Sequence, residues 1–212
     1  MMRASLSPLR LRINRALRDE DGATLVEFAL VTALFLLILF TLIDFARLGF
    51  TNVLAEKATE RAVRMAVVRP AVCDGLPLGN ARGIIGTLSI DIPNGTRCTE
   101  RAGLCHTPAT QTCTGDLSHP TVAAIWAQVA PLMPTNAGPE NLAFSYSFDP
   151  ALNRVGATYN PIVTVEITDL TFDFISPLGA LAAAAGASGQ RDLGESFAFS
   201  SMSASLPAET IR

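Results

Sequence analysis

Charged side chains are scarce. Asp, Glu, Lys and Arg make up 17% of the 212 residues, against about 25% in an ordinary soluble domain. That shortage argues against a disordered chain, which needs high charge and few apolar residues, and against a purely cytosolic enzyme. Lysine is nearly missing: Lys57 is the only one among 16 basic residues, which we read as the codon bias of a GC-rich genome and not as a site. Net charge is −3 and the pI about 5.4, so there is no basic surface for nucleic acid. The sequence has no P-loop, no H-E-x-x-H, no G-x-S-x-G and no C-x-x-C. We therefore expect neither an enzyme nor a cofactor. Asp169 and Asp173 are close in sequence, and solvated positions on a strand face explain them more simply than acid–base chemistry.

The four cysteines are Cys73, Cys98, Cys105 and Cys113, with gaps of 24, 6 and 7 residues. Zinc sites use pairs at C-x₂₋₄-C spacing, so no metal site is expected, even with His106 next to Cys105. An even number of cysteines in an oxidising compartment suggests two disulfides, with three pairings open. His119 has no evident partner in the sequence. Asn94-Gly95 is first of all a turn signal, although Asn94-Gly95-Thr96 also fits a glycosylation sequon.

What the chain has in excess is apolar residues, at 49%, and they are concentrated. Residues 23–43 read ATLVEFALVTALFLLILFTLI, with Glu27 the single charge. At about 1.5 Å per residue the run is about 31 Å long, the thickness of a bilayer core. It has no polar stripe for a surface helix. The leader, 1–22, carries Arg3, Arg10, Arg12, Arg15 and Arg18 against Asp19, Glu20 and Asp21. Basic residues favour the cytoplasmic side, so the N-terminus is expected inside and the bulk of the chain outside. A cleaved secretory signal fits poorly, because the run is too long and no A-x-A site follows it.

The helical pattern continues past the span, over 44–69, until Pro70 ends it. Glu60 and Arg64 stand at i,i+4 in the favourable order. Ala55, Ala58, Ala62 and Ala66 form a stripe of small residues, which suits either packing inside the domain or close approach of another helix. After Pro70, turn residues become common and short strand-like runs appear at 84–91, 142–148, 162–168, 170–175 and 196–206. Ser118 is the expected cap of a short helix from Pro120 to about Ala130. The low-complexity stretch 178–189 suits a short helix or a link. The expected fold class is α+β: a long N-terminal transmembrane and extended helix followed by a small, mainly antiparallel β domain over 70–212.

The junction Asp21-Gly22-Ala23-Thr24-Leu25-Val26-Glu27-Phe28 joins a basic leader to the apolar helix. It resembles a class III (type IV) prepilin signal, which prepilin peptidase cuts after the glycine. The wider block resembles the TadE-like pseudopilins of tight-adherence (Flp, type IVb) pilus systems. The Gly22-Ala23 start, the run Val26-Glu27-Phe28-Ala29-Leu30, the Asp44-Phe45-Ala46-Arg47 that closes the span and the Ala-rich continuation carry the likeness. Phe28, where a major pilin usually has Tyr, and the length of the chain favour a minor pseudopilin.

The resemblance implies removal of 1–22 and a mature start at Ala23. Glu27 would meet the new amine of a neighbouring subunit; otherwise it is a carboxylate that snorkels to the headgroups. The implied site is the inner membrane, spanned once, with the C-terminal domain periplasmic. The implied partners are prepilin peptidase, the major Flp pilin, other minor pseudopilins and the inner-membrane pilus platform, and the implied role is assembly of pili for surface attachment. The competing class is a signal-anchored extracytoplasmic enzyme or ligand-binding domain.

Overall fold

The computed structural model describes residues 20–84, 92–175 and 197–208. The leader through 19, most of the expected strand at 84–91 and the whole 178–189 stretch lie outside them. The described chain is a long N-terminal apolar helix followed by a small antiparallel sheet, an α+β fold. It divides into two compact units: 1–46 with 174–195, and 47–173 with 196–212.

Helix α1 runs Glu20–Ala66, 47 residues, or about 70 Å. It starts upstream of Gly22 and ends three residues before Arg69, where Val67 and Val68 form a turn. In the first unit most of its large side chains are left uncovered by the described residues. Leu25, Phe28, Leu34 and Phe35 are each at least 60% exposed. The helix is long and apolar enough to cross a membrane, and no residue of its most apolar stretch is buried. A soluble core helix would bury that stretch, so this one is a membrane-anchor candidate.

The second unit is built on a four-stranded antiparallel sheet of β1 (Gln111–Thr114), β2 (Leu142–Ser147), β3 (Ile162–Ile167) and β6 (Met202–Pro207), in that order. Register aligns Cys113, Phe144, Val165 and Ala204 across it, and Leu142, Ile167 and Met202 beside them. Period-two alternation therefore gives one apolar face. The other face carries hydroxyls, and Thr164 and Ser205 hydrogen-bond there at 2.8 Å. The strand expected at 170–175 shortens to β4 (Thr171–Phe172), which pairs with β5 (Phe197–Ala198), and the one expected at 196–206 is divided between β5 and β6.

The apolar face joins one core with the C-terminal part of α1 and with α2 (Pro120–Val129). Ala55, Ala58, Ala62 and Ala66 are wholly buried in that core. Of the two uses open to the alanine stripe, packing within the domain is the one realised. Val122, Ile125 and Val129 complete the core from α2. Ser118 does not cap this helix. Its amide donates to Asp116 Oδ1 at 2.9 Å, and His119 takes the cap, its Nδ1 accepting from the Thr121 amide at 3.3 Å. The expected Glu60–Arg64 pair is replaced by Lys57–Glu60 at 3.0 Å.

Where α1 ends, three ties fix the chain to the domain. Thr121 Oγ1 donates to the Pro70 carbonyl at 2.9 Å, the Val72 amide donates to the Tyr146 hydroxyl at 3.0 Å, and Cys73 is bonded to Cys113. A second, smaller cluster gathers Cys98, Leu104, Cys105 and Val155. Beside it the buried Asn153 accepts from Asn80 Nδ2 at 2.9 Å and from the Asn160 amide at 2.8 Å. Gly95 sits at φ +93°, the left-handed conformation that the Asn94-Gly95 turn requires.

Candidate functional site

The residues singled out in the sequence fall into three places. Gly22, Ala23, Glu27 and Phe28 all lie near the start of α1. A Cβ built at Gly22 meets nothing within 4 Å. Among the described residues, packing therefore gives no reason for a glycine at this position. Ala23 and Glu27 are four apart, so they share one helix face about 6 Å apart along the axis. Glu27 is exposed, with no hydrogen-bond partner among the described residues. Phe28 beside it is 71% exposed. A carboxylate surrounded by uncovered Leu, Val and Phe has two ways to be stabilised in a bilayer: headgroup water, or a cation brought by another chain.

The second place is the end of the apolar run, where Asp44 and Arg47 have roles that sequence reading missed. Both Asp44 carboxylate oxygens accept from the Ile175 amide, at 3.1 Å each, and Asp44 is buried. A buried carboxylate at this point holds the chain that leaves β4, which explains a charge directly after 21 residues of span. Arg47, in the other unit, has its guanidinium 5.4 Å from the centre of the Phe172 ring, a cation–π contact. Phe172 in turn meets Phe199 edge-on at 5.8 Å. The motif Asp44-Phe45-Ala46-Arg47 carried a sequence signal, but its partners, more than 120 residues away, carried none.

The third place is the pair of disulfides. Cys73 joins Cys113 across 40 residues, and Cys98 joins Cys105 across seven. The first ties the segment after α1 to the edge strand β1; the second closes a loop within the smaller cluster. A groove of about 540 Å³ beside Cys98–Cys105 is lined by Phe148, Pro150 and small residues, with no titratable side chain. It therefore offers no group for acid–base or nucleophilic chemistry. Among the described residues no three His, Cys, Asp or Glu side chains gather as a metal site would need. Asp169 and Asp173 do not share a strand: Asp169 is left-handed at φ +54°, and only Thr171–Phe172 is extended between them.

The shifted titrations are structural. Burial raises the Tyr146 phenol despite the hydrogen bond from Val72, and burial alone raises Tyr159. The Ser118 amide and hydroxyl lower Asp116 at the turn before α2.

Residues 22–64 match the sequence model of the TadE-like protein family, about a fifth of the chain. The match starts at Gly22 and stops two residues short of the end of α1. No curated protein and no solved structure matches the chain. The N-terminal segment is thus TadE-like, and TadE-like proteins are pilus components. The likeness takes in the membrane-anchor candidate and stops before the sheet.

Proposed function

We propose that the chain is a membrane-anchored minor pseudopilin that assists assembly of a tight-adherence (Flp, type IVb) pilus used in surface attachment. One observation carries the reading. The TadE-like match begins at Gly22, and the only charge in the following span, Glu27, is exposed and unpaired among the described residues. Cleavage after Gly22 by prepilin peptidase gives Ala23 a free amine, with an ordinary pKa of about 7.7–8.0 and hence mostly positive at neutral pH. Glu27 of one subunit then pairs with that amine on a neighbour, the major pilin or another minor pseudopilin, at the inner-membrane platform. The N-terminus starts on the cytoplasmic side and the sheet-bearing unit is periplasmic, where the cysteines oxidise. The role is one of assembly and needs no catalysis.

Glu27→Leu separates this from simple anchoring. Snorkelling predicts unchanged function and a slightly better span. Pairing predicts a protein that is inserted and starts at Ala23 by N-terminal mass, yet fails to restore pili to a deletion strain. Losing one half of a buried pair costs roughly 3–5 kcal/mol, less near headgroup water. Wild-type pilus counts at matched protein levels, or an intact leader in wild-type protein from cells with active peptidase, would sink the proposal.

A further inference from the structure

The sheet has an open edge at β6. Backbone bonds outside the strands fix the phase of its ladder: the Ala208 amide donates to the Pro161 carbonyl at 2.8 Å, and the Thr168 amide donates to the Asn141 carbonyl at 2.9 Å. Antiparallel pairs alternate between bonded and non-bonded. Met202, Ala204 and Leu206 therefore turn their N–H and C=O groups toward β3, and Ser203 and Ser205 turn theirs away from the sheet. Among the described residues no strand pairs with that edge. Pro207 has no N–H and closes one end. Ser203 and Ser205 each offer one donor and one acceptor, about 7 Å apart along the strand.

A groove of about 520 Å³ lies beside this edge, lined by residues 200–203 and by Asn52, Val53 and Glu56 of α1. Asn52 Oδ1 is buried and has no donor among the described residues. A buried acceptor left without a donor is destabilising, so a donor supplied from outside would be favoured. Glu56 is exposed and has no cation among the described residues, since the neighbouring Lys57 is engaged by Glu60. Two acceptors and an apolar Val53 suit a long side chain that ends in donors.

We propose that the free edge of β6 takes up an extended segment of a partner protein as a fifth strand, with a Lys or Arg of that segment entering the groove at Asn52 and Glu56. Ser203 and Ser205 supply the main-chain bonds, and the groove supplies selection at alternate residues. A second copy of this chain fits less well. Its β6, MSASLP, has no basic residue to meet Glu56. The inference stands apart from the pilus reading, because it uses none of residues 22–43.

The test uses the full chain in lipid nanodiscs and a synthetic capped peptide of sequence Thr-Val-Thr-Lys-Thr-Val-Thr. With peptide at ten times its Kd, the amides of Ser203 and Ser205 should exchange about tenfold more slowly. Glu56→Gln should weaken binding about two- to fivefold, as an exposed ion pair does. A peptide with Glu replacing its Lys should bind more weakly. A peptide N-methylated at the residues that face β6 should not bind, and that control leaves the protein's own folding untouched. Four results would overturn the proposal: amides already protected without peptide, no slowing with it, equal affinity for the Glu peptide, or β6–β6 crosslinks between copies that the peptide does not displace.

Discussion

Removing the Cys73–Cys113 bridge should destabilise the sheet-bearing unit more than removing Cys98–Cys105. The two differ in the loop each closes, 40 residues against seven. Cross-linking removes chain entropy from the unfolded state, more for the longer loop. At 25 °C that relation gives about 3.9 kcal/mol for the long loop and about 2.4 kcal/mol for the short one. The long bridge also has neighbours that survive its loss: the Val72 amide to Tyr146 and Thr121 Oγ1 to Pro70. Those bonds hold the native geometry, but they do nothing to the unfolded chain. The entropy term should therefore appear almost undiminished.

Paired alanine variants, Cys73→Ala with Cys113→Ala and Cys98→Ala with Cys105→Ala, avoid burying new hydroxyls. Trp126 is the only tryptophan and packs against the main core, so its fluorescence reports unfolding of the full chain in detergent. With a urea dependence near 2 kcal/mol per M, the midpoints should fall by about 2 M and about 1.2 M respectively. Amide exchange at Val155, in the smaller cluster, checks that one transition is being followed. Equal shifts, or a larger one for the short-loop variant, would refute the reasoning.

Ala62 is wholly buried beneath the sheet, so Ala62→Leu should overpack the core and cost about 1–3 kcal/mol by urea titration. An unchanged midpoint would mean that α1 does not lie on this sheet. Burial raises the Tyr146 and Tyr159 phenols, with the Val72 bond opposing at Tyr146. A raised folded pKa favours the neutral form, so its stabilisation is complete below the unfolded value of about 10 and fades as pH climbs through the folded one. Tyr159 Oη is buried with no partner among the described residues. Tyr159→Phe should thus be neutral or stabilising near pH 7 and should flatten the loss above about pH 10, and a clear loss at pH 7 would contradict this.

The strands that were legible are those where side-chain chemistry and burial coincide. LAFSYS and IVTVEI alternate in sequence, and they alternate in the sheet. Gln111–Thr114 does not read as a strand, because its inward positions are Gln111 and Cys113, a polar residue and a disulfide half. The run at 170–175 looks like a strand but pairs over two residues only. Left-handed Asp169 bends its entry, and the Ile175 amide goes to Asp44 instead of a ladder. His119 and not Ser118 is the cap because the helix begins at Pro120, which makes His119 the residue immediately before it. At the candidate site, Gly22 and Glu27 stood out by local contrast, a small residue and a charge set in an apolar run. Asp44 and Arg47 act through partners distant in the chain, and no local pattern names those.

Gly49 allows a sharper question of α1 than any of its apolar residues. It lies in the helix interior, where glycine costs roughly 0.8–1 kcal/mol relative to alanine. A Cβ built there meets nothing within 4 Å, so packing among the described residues gives no reason for it. Phe45 and Val53, four residues to either side of it on the same helix face, are more than half exposed. Gly49→Ala should therefore stabilise the helix and slow amide exchange over 47–53 about four- to fivefold. Faster or unchanged exchange would show that the backbone there is not regular helix in the protein at work. If exchange slows as expected and the pilus assembly proposed above still drops, the cost points to a contact with another chain, since among the described residues nothing obstructs a Cβ at this position.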